Sequence, residues 1–485
     1  MSDNLSNNMF SGMLWTFLRQ FSLQAFGLIE GIILARLLSP SDYGLLAMPA
    51  IFVAISGCFI DSGFASALVR KAEKKAIDYS TVFVTTICLT AFFALLLSLC
   101  SPLIAKFYGE PILIEIICAN SLLLFLNSFL SIQNTRLTIK MDFKAQNLFR
   151  VITNVTIGIV TIICALSGMG IWSLVWPNFI MPFLNGYLYY RHDPWFPGFK
   201  FSWKVWRDFF GYGSKLLASN LISTTFDNIY PLVVGKKFSA ADLGYYTKAQ
   251  SYATLPSFTL QTIVGPVAFP VLCSISKDEN RLQEAYLRLV SLTCFLTFPM
   301  ILGLAVLAEP FIMVLITEKW EEAIVYLQIL CFACMWNPFN VLSLDLFQVK
   351  GRSDLFFKLE LIKKSLSVIV LFISIPFGLI IMCCGQVLAA NIGALINIYY
   401  IKKVIGVGYV RQLRNFLPSL GYSLMMAVII MFSQAFINSY TAKLLLGISI
   451  GVVSYWGISK IANASELHYM EFLFKEKFLS RLKKR

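Results

Sequence analysis

The stretch ARLLSPSDYG at residues 35–44 returns in altered form as GKKFSAADLG at residues 235–244. Both copies carry a basic residue at the second position, and Ser, Asp and Gly at the fifth, eighth and tenth positions. Each copy follows a long apolar run. A motif that returns after 200 residues predicts a duplicated unit of about six helices, the arrangement from which many membrane carriers are built.

The spacing within the motif also predicts how the next helix begins. Asp42 follows Ser39, and Asp242 follows Ser239, each at an interval of three residues. Ser and Asp side chains accept hydrogen bonds from the free N–H groups in the first turn of a helix. We therefore expect these residues to cap the following helices rather than to contact a substrate.

The chain has the composition of an integral membrane protein. Of its 485 residues, 58% are hydrophobic and only 14% are charged, and the mean hydropathy is +0.72. Apolar runs of roughly 20 residues, the length that crosses about 30 Å of hydrocarbon, recur from end to end. No segment between these runs has the composition of a separate globular domain.

The apolar runs predict an all-α integral membrane fold of about fourteen transmembrane helices, in two pseudo-symmetric six-helix lobes with two further C-terminal helices. The predicted spans are 10–37, 43–68, 78–104, 112–134, 147–168, 170–190, 213–235, 243–272, 285–308, 323–348, 355–376, 379–401, 415–437 and 441–461. The predicted domains are an N-lobe at 1–190, a cytoplasmic interfacial linker at 191–212, a C-lobe at 213–403, two helices within 404–463 and a basic tail at 464–485.

Charge in the connections predicts the orientation. Between the predicted spans, the even-numbered connections hold 19 basic residues and the odd-numbered ones hold 4. Because basic residues near the ends of spans stay on the cytoplasmic side, we expect the even connections and both termini to be cytoplasmic. The net charge of +14 then reflects topology and attraction to anionic lipids, and it does not indicate a nucleic-acid partner.

The sequence carries no pattern of an enzyme site or of a metal site. Its two histidines, His192 and His468, lie in the linker and the tail, and its eleven cysteines are scattered without metal-ligand spacing. It shows no glycine-rich phosphate loop, and no outer connection is long enough for a catalytic domain. We therefore expect no catalytic residue, metal or cofactor.

Charged and polar side chains within the spans are the candidates for a transport path. A charge near the middle of the bilayer costs roughly 2.5 to 3.5 kcal/mol, so such residues normally face a bundle interior or a wet cavity. Arg19, Phe26 and Glu30 share one face of the first span. About 16 Å of helical rise separates Arg19 from Glu30, so the two cannot pair within their own helix.

Further polar faces occur in later spans. The seventh span carries a stripe that includes Asn220 and Asp227, the fourth carries Asn127, and the tenth carries Asn337. Each amide has an alternative role, because Asn often joins membrane helices through hydrogen bonds worth about 0.6 kcal/mol. Both roles stay open at the level of sequence.

Three intramembrane cations are the candidates for binding an anionic group: Arg19, Lys248 and Lys363. For Arg19 and Lys248 the alternative is a structural ion pair with another helix. Glu360 precedes Lys364 by one turn, which is the favourable order for an ion pair within a helix. We therefore expect Lys363 to be the freer of the two adjacent lysines.

The repeated motif resembles the N-terminal signature of Wzx-type oligosaccharide flippases. ARLLSPSDYG is followed by DSGF at 61–64 and by Ala67 and Leu68, and the second copy by DLGYY at 242–246 with Ala249 and Gln250. The branch that these residues resemble comprises the colanic acid and teichuronic acid exporters. With the fourteen-span plan, the likeness covers nearly the whole chain.

This resemblance implies the fold of the multidrug/oligosaccharidyl-lipid/polysaccharide (MOP) exporters, with two lobes around a central cavity. It also implies a function, which is the movement of undecaprenyl-diphosphate-linked sugar repeat units across a bacterial inner membrane by alternating access. A polysaccharide polymerase and a chain-length regulator are the implied protein partners. The family has no universal catalytic motif, so the three cations are inferred from the placement of charge alone.

Two other functions are compatible with parts of the sequence. A MATE-like multidrug antiporter shares the fold but favours an acidic cavity for cations, whereas the candidates here include three cations. A membrane polysaccharide polymerase or ligase would be expected to carry a large outer loop, which this chain lacks. The sequence leaves open whether a proton gradient, a sodium gradient or the membrane potential drives transport.

Overall fold

The computed structural model describes residues 24–61 and 63–474, and all regular secondary structure in those residues is helical. Nine helices of this part are long and apolar enough to cross a membrane. A helix lies within every predicted span that the structure describes, so the chain is a multi-pass, all-α membrane protein. The count of fourteen spans stays a prediction.

The described residues form two compact units, one up to Thr247 and one from Lys248 onward. The helices of the first unit are α1 (24–37), α2 (Pro40–Ala47), α3 (Ala50–Asp61), α4 (Phe64–Arg70), α5 (Ala76–Tyr108), α6 (Leu113–Ile139), α7 (Phe143–Leu166), α8 (Trp172–Val175), α9 (Ile180–His192) and α10 (Trp203–Lys237). The division into lobes at residues 190 and 213 stays a prediction.

Helix α11 (Ala240–Ser274) begins in the first unit and continues into the second. The other helices of the second unit are α12 (Glu279–Val306), α13 (Ala308–Leu315), α14 (Ala323–Cys334), α15 (Asn337–Val349), α16 (Ser353–Ser374), α17 (Leu379–Ile405), α18 (Tyr409–Gln434), α19 (Tyr440–Ile461) and α20 (Ser465–Phe474). Within this unit α12 packs along α18, and α17 packs against α14 and α16.

Several predicted spans are interrupted where the sequence contains proline or glycine. The second span consists of α2, α3 and α4, with interruptions at Pro49 and at Gly63, whose φ is +73°. The sixth is interrupted by a 3₁₀ turn that contains Pro177, and the tenth breaks just before Pro338. Proline lacks the N–H that a helix interior needs, so the interruptions at Pro49, Pro177 and Pro338 have a local cause.

Two helix ends lie within the predicted linker at 191–212, because α9 continues to His192 and α10 begins at Trp203. Its role as an interfacial linker stays a prediction. Helix α10 packs against α3, α4 and α5 of the first unit. Phe209 joins a buried cluster with Phe64, Leu68 and Phe83 there. The aromatic residues at the start of α10 therefore serve the core of this unit as well as its surface.

The two copies of the repeated motif meet each other at their glycines. A Cβ atom on Gly44 would lie 1.7 Å from the carbonyl oxygen of Ala240, and one on Gly244 would lie 1.9 Å from that of Pro40. Each copy thus presents its glycine to the first residue of the other copy's helix. We call this reciprocal contact between α2 and the start of α11 the glycine junction.

Both motif serines cap their helices, as the sequence predicted. The Ser39 hydroxyl accepts the N–H of Asp42 at 3.3 Å, and the Asp42 carboxylate accepts the N–H of Ser39 at 2.9 Å. The second copy repeats this capping box, with distances of 3.1 and 3.0 Å between Ser239 and Asp242. The prediction that Asp42 and Asp242 are structural is confirmed.

Candidate functional site

Two predicted polar residues share an exposed face on α10. Asn220 and Asp227 are seven residues apart, which is about two helical turns, and both side chains are exposed. Thr224 of the same stripe instead faces α3, where its hydroxyl lies 3.0 Å from the Cys58 sulfur. Because an ionised carboxylate in the middle of a span is costly in lipid, this face of α10 requires a polar environment.

Glu30 lies against α7. Its Oε2 atom lies 2.9 Å from the position that a Cβ on Gly158 would occupy, and the Phe26 ring lies 2.8 Å from the same position. The carboxylate is partly buried. The absence of a side chain at Gly158 therefore makes room for two of the three residues that were predicted to share a face of the first span.

Arg19, the third member of that face, lies outside the described residues. Its predicted role in binding an anionic group stays a prediction.

Asn127 on α6 has a buried carbonyl oxygen. Within the described part of the chain no hydrogen-bond donor reaches this Oδ1 atom. A buried acceptor that is left without a partner costs about 1–3 kcal/mol. Asn127 therefore differs from the amides that join helices, and it is suited to accept a hydrogen bond from water or from a ligand hydroxyl.

Lys248 near the start of α11 is buried, with a relative exposure of 9%. Its Nζ atom lies 5.5 Å from the centre of the Tyr252 ring and 5.9 Å from that of Trp320. Trp320 is fully buried, and the Tyr252 ring packs on Phe311. Cation–π contacts of this kind stabilise a desolvated cation by about 2 kcal/mol.

Lys363 on α16, which the sequence predicted to be the freer of two adjacent lysines, has an acidic partner in the structure. Its Nζ atom forms an ion pair of 2.7 Å with Glu360, and its side chain is only 12% exposed. Its stem also packs near Gly393 of α17. The assignment of Glu360 to Lys364 was therefore wrong, because burial against α17 favours the partner three residues away over the one four residues away.

Asn337 is the first residue of α15 and is half-buried. Other asparagines of the spans join helices through hydrogen bonds, which is the alternative role of membrane amides. Asn340 accepts a hydrogen bond of 2.7 Å from Asn397 of α17. In the first unit, Asn134 likewise accepts a hydrogen bond of 2.6 Å from Gln146. These two asparagines join helices, as one of the two interpretations left open by the sequence predicted.

The predicted site residues therefore have separate surroundings. Among the candidates that the structure describes in the first unit, Asn220 and Asp227 share an exposed face, whereas Glu30 contacts α7 and Asn127 lies on α6. In the second unit Lys248 is enclosed by aromatic rings, and Lys363 is paired on α16. No group of three or more His, Cys, Asp or Glu side chains that could hold a metal occurs within residues 24–61 and 63–474.

A cluster of charges that the sequence did not reveal fixes the linker. Asp193 accepts a bond of 3.0 Å from Arg136 and one of 2.5 Å from Lys140, both at the end of α6. The Arg136 guanidinium also lies 4.3 Å from the centre of the Trp195 ring. In the sequence, Asp193 is visible as an acidic residue within a basic connection. Its partners cannot be predicted from spacing, because they lie more than 50 residues away.

A second contact fixes the same region. Asp142 caps α7 through the Ala145 N–H at 3.1 Å, and it lies 2.7 Å from His192 Nε2. The Ala145 N–H and then the His192 side chain lower the pKa of the Asp142 carboxyl. The start of this connection, at His192 and Asp193, is therefore held to the end of α6 and the start of α7.

Comparison with known proteins agrees with the repeat and the fold. The chain is 24% identical over 417 residues to the lipopolysaccharide biosynthesis protein WzxC of Escherichia coli (strain K12), covering 84% of the chain and 83% of that relative. It is 23% identical over 360 residues to the teichuronic acid biosynthesis protein TuaB of Bacillus subtilis (strain 168), covering 73% and 74%. The resemblance predicted from the motif is confirmed.

Among solved structures, the fold is similar to that of the lipid II flippase MurJ in an inward closed conformation. The TM-score is 0.73 at 17% identity, and the match covers 92% of this chain and 97% of that one. The chain therefore has the same fold as that protein. A model described as polysaccharide biosynthesis protein matches residues 33–325. Because this match spans more than half of the 485 residues, the chain belongs to the polysaccharide biosynthesis protein family.

Proposed function

We propose that this protein is a flippase that moves undecaprenyl-diphosphate-linked oligosaccharide repeat units from the cytoplasmic to the outer leaflet of the bacterial inner membrane. The observation that carries the proposal is the family match over residues 33–325, together with relatives that are named for lipopolysaccharide and teichuronic acid biosynthesis. The product would serve the assembly of a capsule, an O-antigen or an exopolysaccharide.

The exposed face of α10 supports a role in holding the sugar. Asn220 offers an amide and Asp227 a carboxylate, and both groups form hydrogen bonds with sugar hydroxyls. The buried carbonyl of Asn127 offers a further acceptor. The oligosaccharide would bind to these side chains while its polyprenyl tail stays in the lipid.

In this proposal, cations contact the diphosphate. Arg19 and Lys248 are the first candidates, and Lys363 is the third. Since two aromatic rings enclose Lys248, its contact with a phosphate requires that these rings separate from it. Since Lys363 is already paired, its contact requires an exchange of partners.

The membrane potential can drive the outward step. Moving one charge across 100 mV changes the free energy by about 2.3 kcal/mol, so two net negative charges gain about 4.6 kcal/mol when the cytoplasm is negative. No nucleotide hydrolysis is needed for this step. Glu30 and Asp227 are the candidates for coupling to proton or sodium entry, because a carboxylate can alternate between neutral and charged forms.

The proposed orientation follows from the charge of the connections. Both termini and the basic even-numbered connections would face the cytoplasm. A polysaccharide polymerase and a chain-length regulator would act on the product at the other face of the membrane.

A reconstituted assay tests the function. Purified full-length protein is placed in liposomes with a lipid-linked oligosaccharide that carries a fluorescent sugar, and the fraction that an external quencher reaches is followed over time. We expect faster translocation than in empty liposomes. Arg19→Ala and Lys248→Ala should each slow it about ten-fold or more, since a bond to a charged group contributes about 1.5–3 kcal/mol.

Lys106→Ala is the matched control, because Lys106 is exposed near the end of α5, and it should translocate at the wild-type rate. Full activity of both Arg19→Ala and Lys248→Ala would contradict the diphosphate site. Failure of the wild type to move the lipid-linked sugar would contradict the flippase itself.

A MATE-like cation antiporter is the second candidate. The observation that favours it is the exposure of Asp227, a carboxylate in the middle of a span. A cationic dye in the same liposomes separates the two functions. Dye movement that depends on Asp227, without movement of the lipid-linked sugar, would support the antiporter over the flippase.

A further inference from the structure

A cavity of about 320 Å³ lies in the second unit, between the first turns of α12, the first turns of α18 and the short helix α20. This volume is at the lower end of the range of about 300–1,000 Å³ that is typical of small-ligand sites. The lining residues that carry its chemistry are Glu284, Arg288, Ser291, Arg411, Glu466 and Tyr469. None of them belongs to the site proposed for the sugar or the diphosphate.

The cavity is lined by two arginines and two glutamates that do not pair with one another. Among the described residues, no ion pair joins Arg288 or Arg411 to Glu284 or Glu466. Glu284 and Arg288 are spaced for an ion pair on α12, and yet they do not form one. Both signs of charge therefore border the same space.

Neighbouring side chains hold three of these charges apart. The Arg288 guanidinium lies 3.8 Å from the centre of the Tyr469 ring. Arg411 donates a hydrogen bond of 3.1 Å to Gln283, and the Ser291 hydroxyl donates one to the Glu466 carboxylate. The Arg288 guanidinium is planar, so its N–H groups lie in the plane of the group that stacks on the ring. A phosphate in that plane can accept hydrogen bonds from them.

The walls of the cavity are joined to one another by contacts that do not involve these charges. Asn415 of α18 donates a hydrogen bond of 2.6 Å to the Leu287 carbonyl of α12. Ala464 and Leu467 pack with Phe295, which holds α20 against α12. The cavity is therefore formed before a ligand binds.

We infer that this cavity binds the zwitterionic headgroup of a phospholipid, with its phosphate on Arg288 and Arg411 and its primary ammonium on Glu466 and Glu284. Phosphoethanolamine has this chemistry. A headgroup with only negative charge would face two carboxylates, and phosphocholine has no N–H to donate to them. In the orientation proposed above, the lipid would come from the cytoplasmic leaflet.

Binding to the purified full-length protein tests the inference. Short-chain phosphatidylethanolamine, phosphatidylcholine and phosphatidylglycerol, and inorganic phosphate alone, are titrated separately, and bound molecules are counted by native mass spectrometry. We expect one site for phosphatidylethanolamine, with a Kd at least ten-fold lower than that of any other probe. The measurement does not require transport, so its failure leaves the proposed function untouched.

Substitutions test which side chains bind the phosphate and which bind the ammonium of the headgroup. Arg288→Ala and Glu466→Gln should each raise the Kd for phosphatidylethanolamine at least ten-fold, and Glu466→Gln should leave phosphatidylglycerol binding unchanged or stronger. Arg281→Ala is the matched control, because Arg281 lies on the same helix, is 78% exposed and pairs with Asp278. It should bind like the wild type, and circular dichroism should show equal helix content in all variants.

Three results would overturn the inference. One is equal affinity for the three lipids. Another is preference for phosphatidylglycerol that Glu466→Gln does not change, which would indicate a simple anion site. The third is inorganic phosphate binding as tightly as the lipid, which would assign the cavity to free phosphate.

Discussion

At the scale of single residues, the surroundings of each intramembrane charge determine its role. Lys248 and Lys363 were both candidates for an anionic ligand. The first is enclosed by Tyr252 and Trp320, and the second is paired with Glu360. Asp227, in contrast, is exposed on α10. Of these three residues, the carboxylate has the most accessible charge.

The ion pair between Lys363 and Glu360 can be measured by a double-mutant cycle. We expect Lys363→Met and Glu360→Gln together to destabilise the protein less than the sum of the two single changes. The coupling should be about 0.5–1 kcal/mol, because the Glu360 side chain is 30% exposed and partly screened. Thermal unfolding in detergent, followed by circular dichroism, gives the four values.

Lys364→Met in place of Lys363→Met is the control cycle for this pair. It should show a smaller coupling with Glu360→Gln. A larger coupling to Lys364 would restore the pairing that the sequence predicted and contradict the structure at this position.

The choice between these two lysines also shows what sequence can determine at this scale. The caps at Ser39 and Ser239 were predictable, because the partners are three residues apart and the chemistry is local. The partner of Glu360 was not, because intervals of three and four residues are both allowed on a helix. The Lys363 stem packs near Gly393, which only the fold brings close. This packing favours Lys363 as the partner of Glu360.

At the scale of helices, the glycine junction joins the two copies of the repeat. The distances of 1.7 and 1.9 Å from the added Cβ atoms are to backbone carbonyl oxygens, which cannot turn aside as a side chain can. Gly44 and Gly244 therefore allow α2 and the start of α11 to touch. The capping boxes on both sides fix where each helix begins.

We expect Gly44→Ala and Gly244→Ala each to destabilise the protein by about 3 kcal/mol or more, because overpacking costs typically 1–3 kcal/mol even where side chains can adjust. The yield of folded protein and the midpoint of thermal unfolding should both fall. Gly27→Ala is the control, since nothing lies within 4 Å of a Cβ there. Wild-type stability of Gly44→Ala would mean that the junction is not a tight contact.

The positions of helices were more predictable than their interruptions. Average hydropathy over a long window located the second span at 43–68, but it could not show the interruptions at Pro49 and Gly63. The linker was predicted at 191–212, and α10 begins within that range at Trp203. The sequence could not show that this helix contributes to the core of the first unit, where Phe209 is buried with Phe64, Leu68 and Phe83.

At the scale of the whole molecule, the basic connections predict the direction in which the chain faces. Fusions of a reporter after Lys140 and after Glu110 test this prediction in living cells. Green fluorescent protein should fluoresce after Lys140 and not after Glu110, and alkaline phosphatase should be active only after Glu110. The opposite pattern would place both termini outside and contradict the proposed orientation.

The family and the fold were predictable from the repeated motif, whereas the surroundings of the candidate site residues were not. The motif residues cap the starts of helices. Both halves need such a cap, so the same residues occur in both copies. Residues that hold a substrate face different groups in each half, so no repeat marks them. Asn127 is an example of a candidate that the repeat does not mark, since only the fold shows that no donor within residues 24–61 and 63–474 reaches its buried carbonyl oxygen.

The glycine junction has a consequence for the origin of the chain. Each copy of the motif contacts the other through the same surface. Interfaces of symmetric dimers are self-complementary in this way. Two separate subunits with this motif could have associated through it before a gene fusion joined them. A change at one glycine in such an ancestor would have altered both sides of the contact at once, whereas the fused protein can vary each side independently.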